Sequence, residues 1–143
     1  MQIIIHTDGG SIGNPGPSAI GAVIEYDDKK KTYAEEIGEG TNNEAEYKAL
    51  VFALKKIKAL VGSKNVKNAT LKCYSDSQLM INQLNHKFKL NDSKIVPLFI
   101  KIWNLMMEYK KVEFIYVSRE QNKEADALVG SVINGGKQNS FFS

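Results

Sequence analysis

Four acidic residues stand where predicted secondary-structure elements begin or end, and this placement makes them the first candidates for chemistry. Asp8 follows a short β-branched run, and Asp76 follows a second strand-like segment. Glu46 lies in the first turns of a predicted long helix, and Asp126 lies near the start of the last predicted helix. If the fold brings these four carboxylates together, they form one acidic site.

An acidic side chain that points towards a protein core is costly unless something neutralises its charge. Four converging carboxylates without a nearby arginine would also repel one another, and divalent cations are the natural solution. Hard oxygen ligands select Mg²⁺ or Mn²⁺. Two such ions about 3.5–4 Å apart could activate a water molecule and stabilise the leaving oxygen of a phosphodiester. The residue types therefore indicate metal-dependent phosphodiester hydrolysis, provided that the carboxylates converge.

Each acid taken alone also has a purely structural interpretation. Asp8 could be a turn residue before two glycines, and Asp76 could cap a helix. Glu46 and Asp126 could be charges near helix N-termini that favour the macrodipole. Spacing alone leaves both interpretations open for each of the four.

The hydrophobic pattern predicts an α/β fold in which helices flank a five-stranded mixed sheet. Strands are predicted over residues 3–7, 18–26, 32–37, 66–74 and 112–117, the first three antiparallel and the last two parallel. Helices are predicted over residues 44–61, 77–84, 93–109 and 122–133. We expect one domain over residues 1–134 and a tail over residues 135–143, in which Phe141 and Phe142 have no assignable role.

The composition leans towards a polyanionic partner without requiring one. The formal net charge is +3, and Arg119 is the only arginine. Lysine contacts phosphate as a point charge and lacks the planar fork that reads bases. No apolar run reaches the roughly 18 residues of a membrane span, no signal peptide is evident, and Cys73 has no cysteine partner. We expect a cytoplasmic monomer without an obligate protein partner.

Four local segments, in order along the chain, resemble the motifs of type 1 ribonucleases H. They are TDGGSIGNPGP at residues 7–17, TNNEAEY at 41–47, SDSQ at 75–78 and NKEADAL at 122–128. The resemblance implies the ribonuclease H-like fold and hydrolysis of the RNA strand of RNA–DNA hybrids, which leaves 5′-phosphate and 3′-hydroxyl ends. It also implies two Mg²⁺ ions, for which Mn²⁺ can substitute.

The resemblance assigns a role to each acid. Asp8 would bridge both metal ions, and Glu46 and Asp76 would each serve chiefly one. Asp126 would complete the site and could move between steps.

Uncharged groups are suited to recognising the RNA 2′-hydroxyl, because they discriminate by hydrogen bonding without attracting every phosphate. The candidates, which the resemblance also implies, are Gly10, Ser11, Asn14, Asn42, Asn43 and Gln78. Thr41 together with Asn14 is a candidate pocket for a phosphate of the DNA strand. The alternative for Asn14 and Asn42 is turn and cap chemistry, which is compatible with substrate binding.

The sequence departs from the family pattern in the loop before the last helix, where many relatives carry a histidine. Residues 118–121 are Ser-Arg-Glu-Gln. We expect Arg119 to contact a phosphate of the leaving strand and to assist product release; alternatively, it pairs with a nearby acid. In the preceding helix, Trp103 with Phe99 and Met106 matches a buried stripe.

Two other functions are compatible with these motifs. A catalytically silent module could bind hybrids, although clustered negative charge does not help a protein to bind phosphates. The chain could also be the nuclease domain of a reverse transcriptase or of another polyprotein.

Overall fold

The computed structural model describes the backbone of residues 1–142 and the side chains of residues 1–133. Its strands are β1 (Gln2–Ser11), β2 (Gly16–Tyr26), β3 (Lys29–Gly40), β4 (Thr70–Ser75) and β5 (Lys111–Tyr116). Its helices are α1 (Asn42–Val61), α2 (Ser63–Val66), α3 (Gln78–Leu84), α4 (Val96–Met106) and α5 (Lys123–Phe142), and a 3₁₀ turn (Arg119–Asn122) precedes α5. Among the helices described, none combines the length and the apolar character needed to cross a membrane.

The strands form one mixed sheet in the order β3-β2-β1-β4-β5. The β1–β2 and β2–β3 pairs are antiparallel, whereas β4 runs parallel to both β1 and β5. Helix α1 packs on one face against β1 and β2, and α5 packs on the opposite face against β1, β2 and β3. The predicted combination of three antiparallel strands with two parallel ones is therefore confirmed.

The hydrophobic core lies between the sheet and α1. Ile3 and Ile5 alternate along β1 and are fully buried on one face of the strand,. Leu50, Leu54 and Ile57 recur at helical spacing and are buried on the facing side of α1,. Fully burying each such side chain contributes about 1.5–3 kcal/mol, so this contact holds α1 against β1.

Both ends of α1 have local causes in the sequence. Thr41 and Glu44 form a capping box of two hydrogen bonds, both 3.1 Å long,. The backbone N–H of Glu44 donates to the Thr41 hydroxyl, and the backbone N–H of Thr41 donates to the Glu44 carboxylate. Gly62 follows the last helical residue, and its φ of +85° favours glycine,. The long helix predicted from residue 44 therefore starts two residues earlier and ends at Val61 as predicted.

Strand β1 extends further than predicted. The two glycines after Asp8 predict a turn, but the β1–β2 ladder continues as far as the Ser11–Ser18 pair. The turn follows Ser11 instead, where Gly13 has a φ of +84°. Asp8 is thus a strand residue, and its interpretation as a turn residue is wrong.

Strands β3 and β4 also differ from the predicted ranges. β3 starts at Lys29 because the β2–β3 turn needs only Asp27 and Asp28, both at positive φ. β4 starts at Thr70, since Val66 ends α2 and buries its side chain at the edge of the core. These differences change strand length and leave the strand order unaffected.

The buried stripe predicted for α4 is wrong at Trp103. The buried face of the helix passes through Ile102, and Ile95, seven residues earlier in the turn before the helix, is also fully buried. Phe99 and Met106 flank this face and are partly buried, whereas Trp103 lies outside it and is 58% exposed. The helix is also shorter than the predicted 93–109, because residues 93–95 form a turn.

The last helix begins at Lys123, and its backbone continues to Phe142, beyond the predicted end at residue 133. The side chains of Phe141 and Phe142 lie outside the described residues. The division of the chain after residue 134 stays a prediction.

A glycine on β2 lets α5 approach the sheet closely. Gly21 pairs with Asp8 across the β1–β2 ladder, so both positions face α5,. A Cβ atom at Gly21 would lie 2.6 Å from the Ala125 carbonyl oxygen and 2.9 Å from Leu128 Cβ. The observed packing of α5 therefore requires glycine at this position.

Gly21→Ala is expected to destabilise the protein by about 1–3 kcal/mol, which is the usual cost of overpacking a filled core. Gly40→Ala is the matched control, because a Cβ atom there would make only ordinary contacts of 3.6 Å with Glu44. Urea unfolding followed by circular dichroism would compare both variants with the natural protein. Equal stability of the two variants would show that this contact does not limit how closely α5 packs.

Candidate active site

Asp8 and Asp76 come together through the parallel pairing of β1 with β4. The last pair of this ladder is His6 with Tyr74, and Asp8 and Asp76 each lie two residues further along. Asp8 is 7% exposed, and Asp76 is partly buried. The cap of the following helix is Ser77, whose hydroxyl accepts a backbone amide of α3 at 3.2 Å. The interpretation of Asp76 as a helix cap is therefore wrong.

Glu46 reaches Asp8 because α1 lies directly against a glycine of β1. A Cβ atom at Gly9 would lie 2.3 Å from the Ala45 carbonyl carbon and 2.5 Å from the Glu46 nitrogen. The backbone N–H of Gly9 donates to Glu46 Oε1 at 2.8 Å, and a carboxylate oxygen of Glu46 lies within 4.8 Å of one of Asp8. Only glycine permits this close approach, which fixes Glu46 beside Asp8.

Asp126 approaches from the opposite face of the sheet, in the first turn of α5. Its carboxyl group lines the same cleft as that of Asp8 and is close enough to help raise the pKa of Asp8. The start of α5 is anchored by Asn122, which is 1% exposed and whose Nδ2 donates to the Thr7 carbonyl oxygen at 2.8 Å. The structure thus brings all four predicted acids together around Asp8.

Three of these acids form a compact set of oxygen ligands. One carboxylate oxygen from each of Asp8, Glu46 and Asp76 lies within 4.8 Å of the other two. A hard divalent cation with oxygen ligands at about 2.0–2.6 Å could bind all three after a small side-chain movement. Asp126 lies outside this set and adjoins it through Asp8. The donor set therefore fits Mg²⁺ or Mn²⁺.

Burial and mutual repulsion make these carboxylates hard to ionise together. Burial, followed by repulsion from Asp76 and Asp126, raises the pKa of Asp8 to about 8, although the amide of Gly9 opposes the shift. Burial, together with Asp8 and Asp76, raises the pKa of Glu46 well above its ordinary range. A bound divalent cation would reverse both effects, because it favours the charged form of each ligand.

The four carboxylates line an open cleft of about 1100 Å³. On the β1 side, the cleft is lined by uncharged groups of Gly10, Ser11 and Asn42, which we call the neutral wall. On the β5 side, it is lined by Tyr116 and Arg119. A wide, polar cleft of this kind suits a charged polymer better than an apolar small molecule.

Hydrogen bonds from β1 and from the β1–β2 turn orient Asn42. Its Oδ1 accepts the Ser11 amide at 2.8 Å and the Ser11 hydroxyl at 3.2 Å. Its backbone N–H donates to Asn14 Oδ1 at 2.9 Å. Asn14 thus has the turn role considered for it, while the cap of α1 is Thr41, and Asn42 is the first helical residue.

Four of the predicted substrate-binding residues stand outside the cleft lining, namely Asn14, Thr41, Asn43 and Gln78. Asn43 is the second residue of α1 and is partly buried, and Gln78 is the exposed first residue of α3. Neither is among the described residues that line the cleft. Both lie at helix N-termini beside Asn42 and Asp76, respectively.

Comparison with known proteins gives concordant matches. A family model described as "Reverse transcriptase-like" matches residues 6–132. A ribonuclease H of Helicobacter pylori is 33% identical over 139 residues, which are 90% of each chain. The crystal structure of LC11-RNase H1 in complex with an RNA/DNA hybrid is 36% identical, with a TM-score of 0.86 over 94% of this chain and 98% of that one. The chain belongs to the type 1 ribonuclease H family.

Two further family members define the extent of the likeness. RNase H1 of the archaeon Halobacterium salinarum has a TM-score of 0.85 at 29% identity, over 94% of this chain and 99% of that one. A Mycobacterium tuberculosis protein described as bifunctional is 29% identical over 98% of this chain, and the match covers 38% of its own length. This chain therefore spans about two fifths of the length of that relative.

Arg119, in the loop before α5, lies beside one acid of the cluster. The Arg119 guanidinium is mostly exposed, and its Nη2 lies 3.6 Å from Asp126 Oδ1. The alternative interpretation, pairing with an acid, is therefore seen. A contact this long and this exposed contributes only about 0–1 kcal/mol, so it holds the guanidinium weakly.

Sequence reasoning missed the residues that position the acids. Asn122 stands just before a helix, where an asparagine predicts a cap. The cap of the preceding 3₁₀ turn is Ser118, whose hydroxyl accepts the Gln121 amide at 3.3 Å. The full burial of Asn122 and its bond to β1 could be found only once the fold placed α5 against β1.

Asp8→Asn is expected to stabilise the metal-free protein at pH 8. Because the pKa of Asp8 is about 8 in the folded protein and its ordinary value is 3.8, the folded state holds this proton more tightly. The contribution of this proton to the free energy of unfolding is complete below about pH 4 and is lost as the pH rises towards 8. Asparagine does not ionise, so the variant should gain about 1–3 kcal/mol at pH 8 and nothing near pH 4.

Thermal unfolding in the presence of a chelator would measure this gain. It would be recorded at about pH 4.5 and pH 8, near the ordinary and the raised pKa of Asp8. Asp92→Asn is the control, since Asp92 is exposed and lies outside the cleft. Mg²⁺ added at pH 8 should raise the unfolding midpoint of the natural protein more than that of Asp8→Asn. The same pH response in all three proteins would contradict the buried placement of Asp8.

Proposed function

We propose that this chain hydrolyses the RNA strand of RNA–DNA hybrids by two-metal-ion catalysis, which leaves 5′-phosphate and 3′-hydroxyl ends. The observation that carries the proposal is the carboxylate cluster, with three acid oxygens within 4.8 Å of one another and Asp126 beside them in the same cleft. Support also comes from LC11-RNase H1, a related protein crystallised in complex with an RNA/DNA hybrid. A silent binding module would gain nothing from this cluster, because it repels phosphates.

Asp8, Glu46, Asp76 and Asp126 would hold two Mg²⁺ ions, and Mn²⁺ could replace them. When bound, the ions supply an activated water molecule and stabilisation of the leaving oxygen. Asp8 lies between the other acids and would contact both ions, while Glu46 and Asp76 would each serve one. Asp126 stands on a separate helix outside the compact set, so it is the ligand best able to move.

The protein's own contribution is to hold these ligands before metal binds. The Gly9 amide fixes the Glu46 carboxylate, and Asn122 ties the helix that carries Asp126 to β1. Ligands held in this way lose little freedom on binding metal, and the substrate phosphate meets a site that is already assembled. The fold, through these contacts, supplies positioning for the hydrolysis.

The neutral wall would distinguish RNA from DNA. The Ser11 hydroxyl and the Asn42 amide can donate to or accept from a ribose 2′-hydroxyl. None of the described hydrogen bonds uses Asn42 Nδ2, which is therefore a candidate donor to the RNA strand. The backbone of Gly10 would complete this contact.

Residues beside the neutral wall would extend the contact to both strands. Asn43 and Gln78, at the starts of α1 and α3, would reach the hybrid where its minor groove passes over the two helices. Thr41 with Asn14 would bind a phosphate of the DNA strand, near the N-terminus of α1, whose dipole favours an anion.

A cleavage assay tests the proposed function directly. We expect the protein to cut the RNA strand of a labelled hybrid with Mg²⁺ or Mn²⁺, and to cut neither single-stranded RNA nor an RNA duplex. Asp8→Asn should lower the rate by at least about 10³-fold, because the central metal ligand is lost. Hybrid binding without cleavage under both metals would favour the silent binding module instead.

Arg119→Ala is expected to lower turnover by about 3–10-fold, because the leaving strand loses a charge-assisted phosphate contact. Metal affinity should be unchanged, since Arg119 is not a ligand. Arg119→Lys keeps the charge and should retain part of the activity. Steady-state cleavage rates and Mg²⁺ titrations would be compared; unchanged turnover, or a loss explained by weaker Mg²⁺ binding, would contradict the phosphate contact.

A further inference from the structure

The two sides of the carboxylate cleft differ in chemistry. The neutral wall offers hydrogen-bonding groups without charge, whereas the β5 side offers Tyr116 and Arg119. Of the described residues that line the cleft, Tyr116 is the only aromatic residue and Arg119 the only cationic one.

Strand register places Tyr116 beside the carboxylates. Tyr116 forms the last pair of the β4–β5 ladder with Ser75, and the next residue after Ser75 is Asp76. Two residues earlier on the same face of β5, Phe114 is only 8% exposed, because α3 packs over that part of the strand. Tyr116 lies beyond this cover and is 48% exposed. Its ring is therefore available to a molecule bound in the cleft.

The position of Tyr116 indicates which part of a hybrid it could touch. Tyr116 is two strand spacings from β1 across β4, level with Thr7, the residue before Asp8, so it lies about 10 Å from Asp8,. That distance reaches the nucleotide beyond the one joined to the scissile phosphate. The bases of a hybrid are paired and stacked inside the duplex, so a ring at the backbone meets the ribose, whose C–H groups can pack on an aromatic face.

On the basis of the proposed function, we propose that Tyr116 packs its ring on the ribose of the second RNA nucleotide from the scissile phosphate, on the β5 side of the cleft. Tyr116 is thus a substrate-binding residue, and Arg119 contacts an adjacent phosphate of the same strand. The neutral wall holds the RNA strand on the other side of the carboxylates. Together, the two contacts place the scissile phosphate over the acids.

This contact makes a specific demand on the substrate. The RNA strand must extend at least two nucleotides past the cut on the β5 side for the ring to bind. A protein without the ring would lose that dependence. The contribution of Tyr116 and the presence of that nucleotide are therefore coupled, whereas a merely structural role of Tyr116 would affect all substrates equally.

A cycle of protein variants and shortened substrates tests the coupling. Hybrids with one strongly preferred cut would carry RNA that extends well past the cut, or that ends one nucleotide past it on the 5′ or the 3′ side, over an unchanged DNA strand. On the long hybrid, Tyr116→Ala should lower kcat/KM roughly tenfold, because the apolar contact between the ring and the ribose is lost. On RNA shortened at one of the two ends, Tyr116→Ala and the natural protein should be equal.

Two further variants sharpen the result. Tyr116→Phe keeps the ring and should behave as the natural protein does. Trp103→Ala removes an exposed aromatic side chain of α4 that is not among the residues lining the cleft, and it should leave all rates unchanged. Undiminished cleavage by Tyr116→Ala, or the same loss on long and shortened RNA, would overturn the Tyr116 contact alone. Absence of cleavage by the natural protein would overturn the proposed function along with it.

Discussion

The close approach of two helices to the centre of the sheet is the constraint on which the site depends. Gly9 on β1 and Gly21 on β2 face opposite sides, and at each the helix backbone occupies the space of a side chain. Glu46 and Asp126 are carried by these helices, and Asp8 is carried by the strand between them. A larger residue at either glycine would move one helix outwards and separate its carboxylate from Asp8.

This arrangement is electrostatically unfavourable in the absence of a cation, and the rest of the fold offsets the cost. Asp8 and Glu46 both have raised pKa values because they are buried near other acids. The hydrophobic contact between β1 and α1 holds Glu46 in place despite this repulsion, and the bond from Asn122 to β1 does the same for Asp126. Stability and function thus compete at the site, as is common where binding groups are preorganised.

The mixed sheet, with its antiparallel and parallel parts, and the four acids could be predicted from the sequence because both follow from local patterns. Alternation in β1 and β2, helical spacing in α1, and four short motifs in order carry that information without reference to distant contacts. The prediction of a turn after Asp8 was wrong for a physical reason. Two consecutive glycines are typical of turns, but here one of them, Gly9, permits close packing of the strand against Ala45. The predicted burial of Trp103 was wrong because a stripe of apolar residues along a helix does not define which edge of the stripe the core covers.

The positioning residues could not be found in the same way, since their roles are set by tertiary contacts. Nothing in the residues around Asn122 indicates that its amide reaches the carbonyl of Thr7, 115 positions earlier. Tyr116 is similar, because its exposure depends on where α3 stops covering β5. The sequence therefore indicates which groups could do chemistry, while packing decides how they are held and which neighbours they meet.

The distribution of charge connects metal binding with substrate binding. Apart from the four site acids, nineteen basic residues face twelve acidic ones, so the rest of the chain carries a balance of +7. In the proposed mechanism, two divalent ions would neutralise the four carboxylates, and the +7 of the remaining chain would then act on the hybrid unopposed. Without metal, the acids repel the phosphate that must come closest to them. In that mechanism, metal and hybrid would favour each other's binding, and this coupling would be reciprocal by thermodynamic linkage.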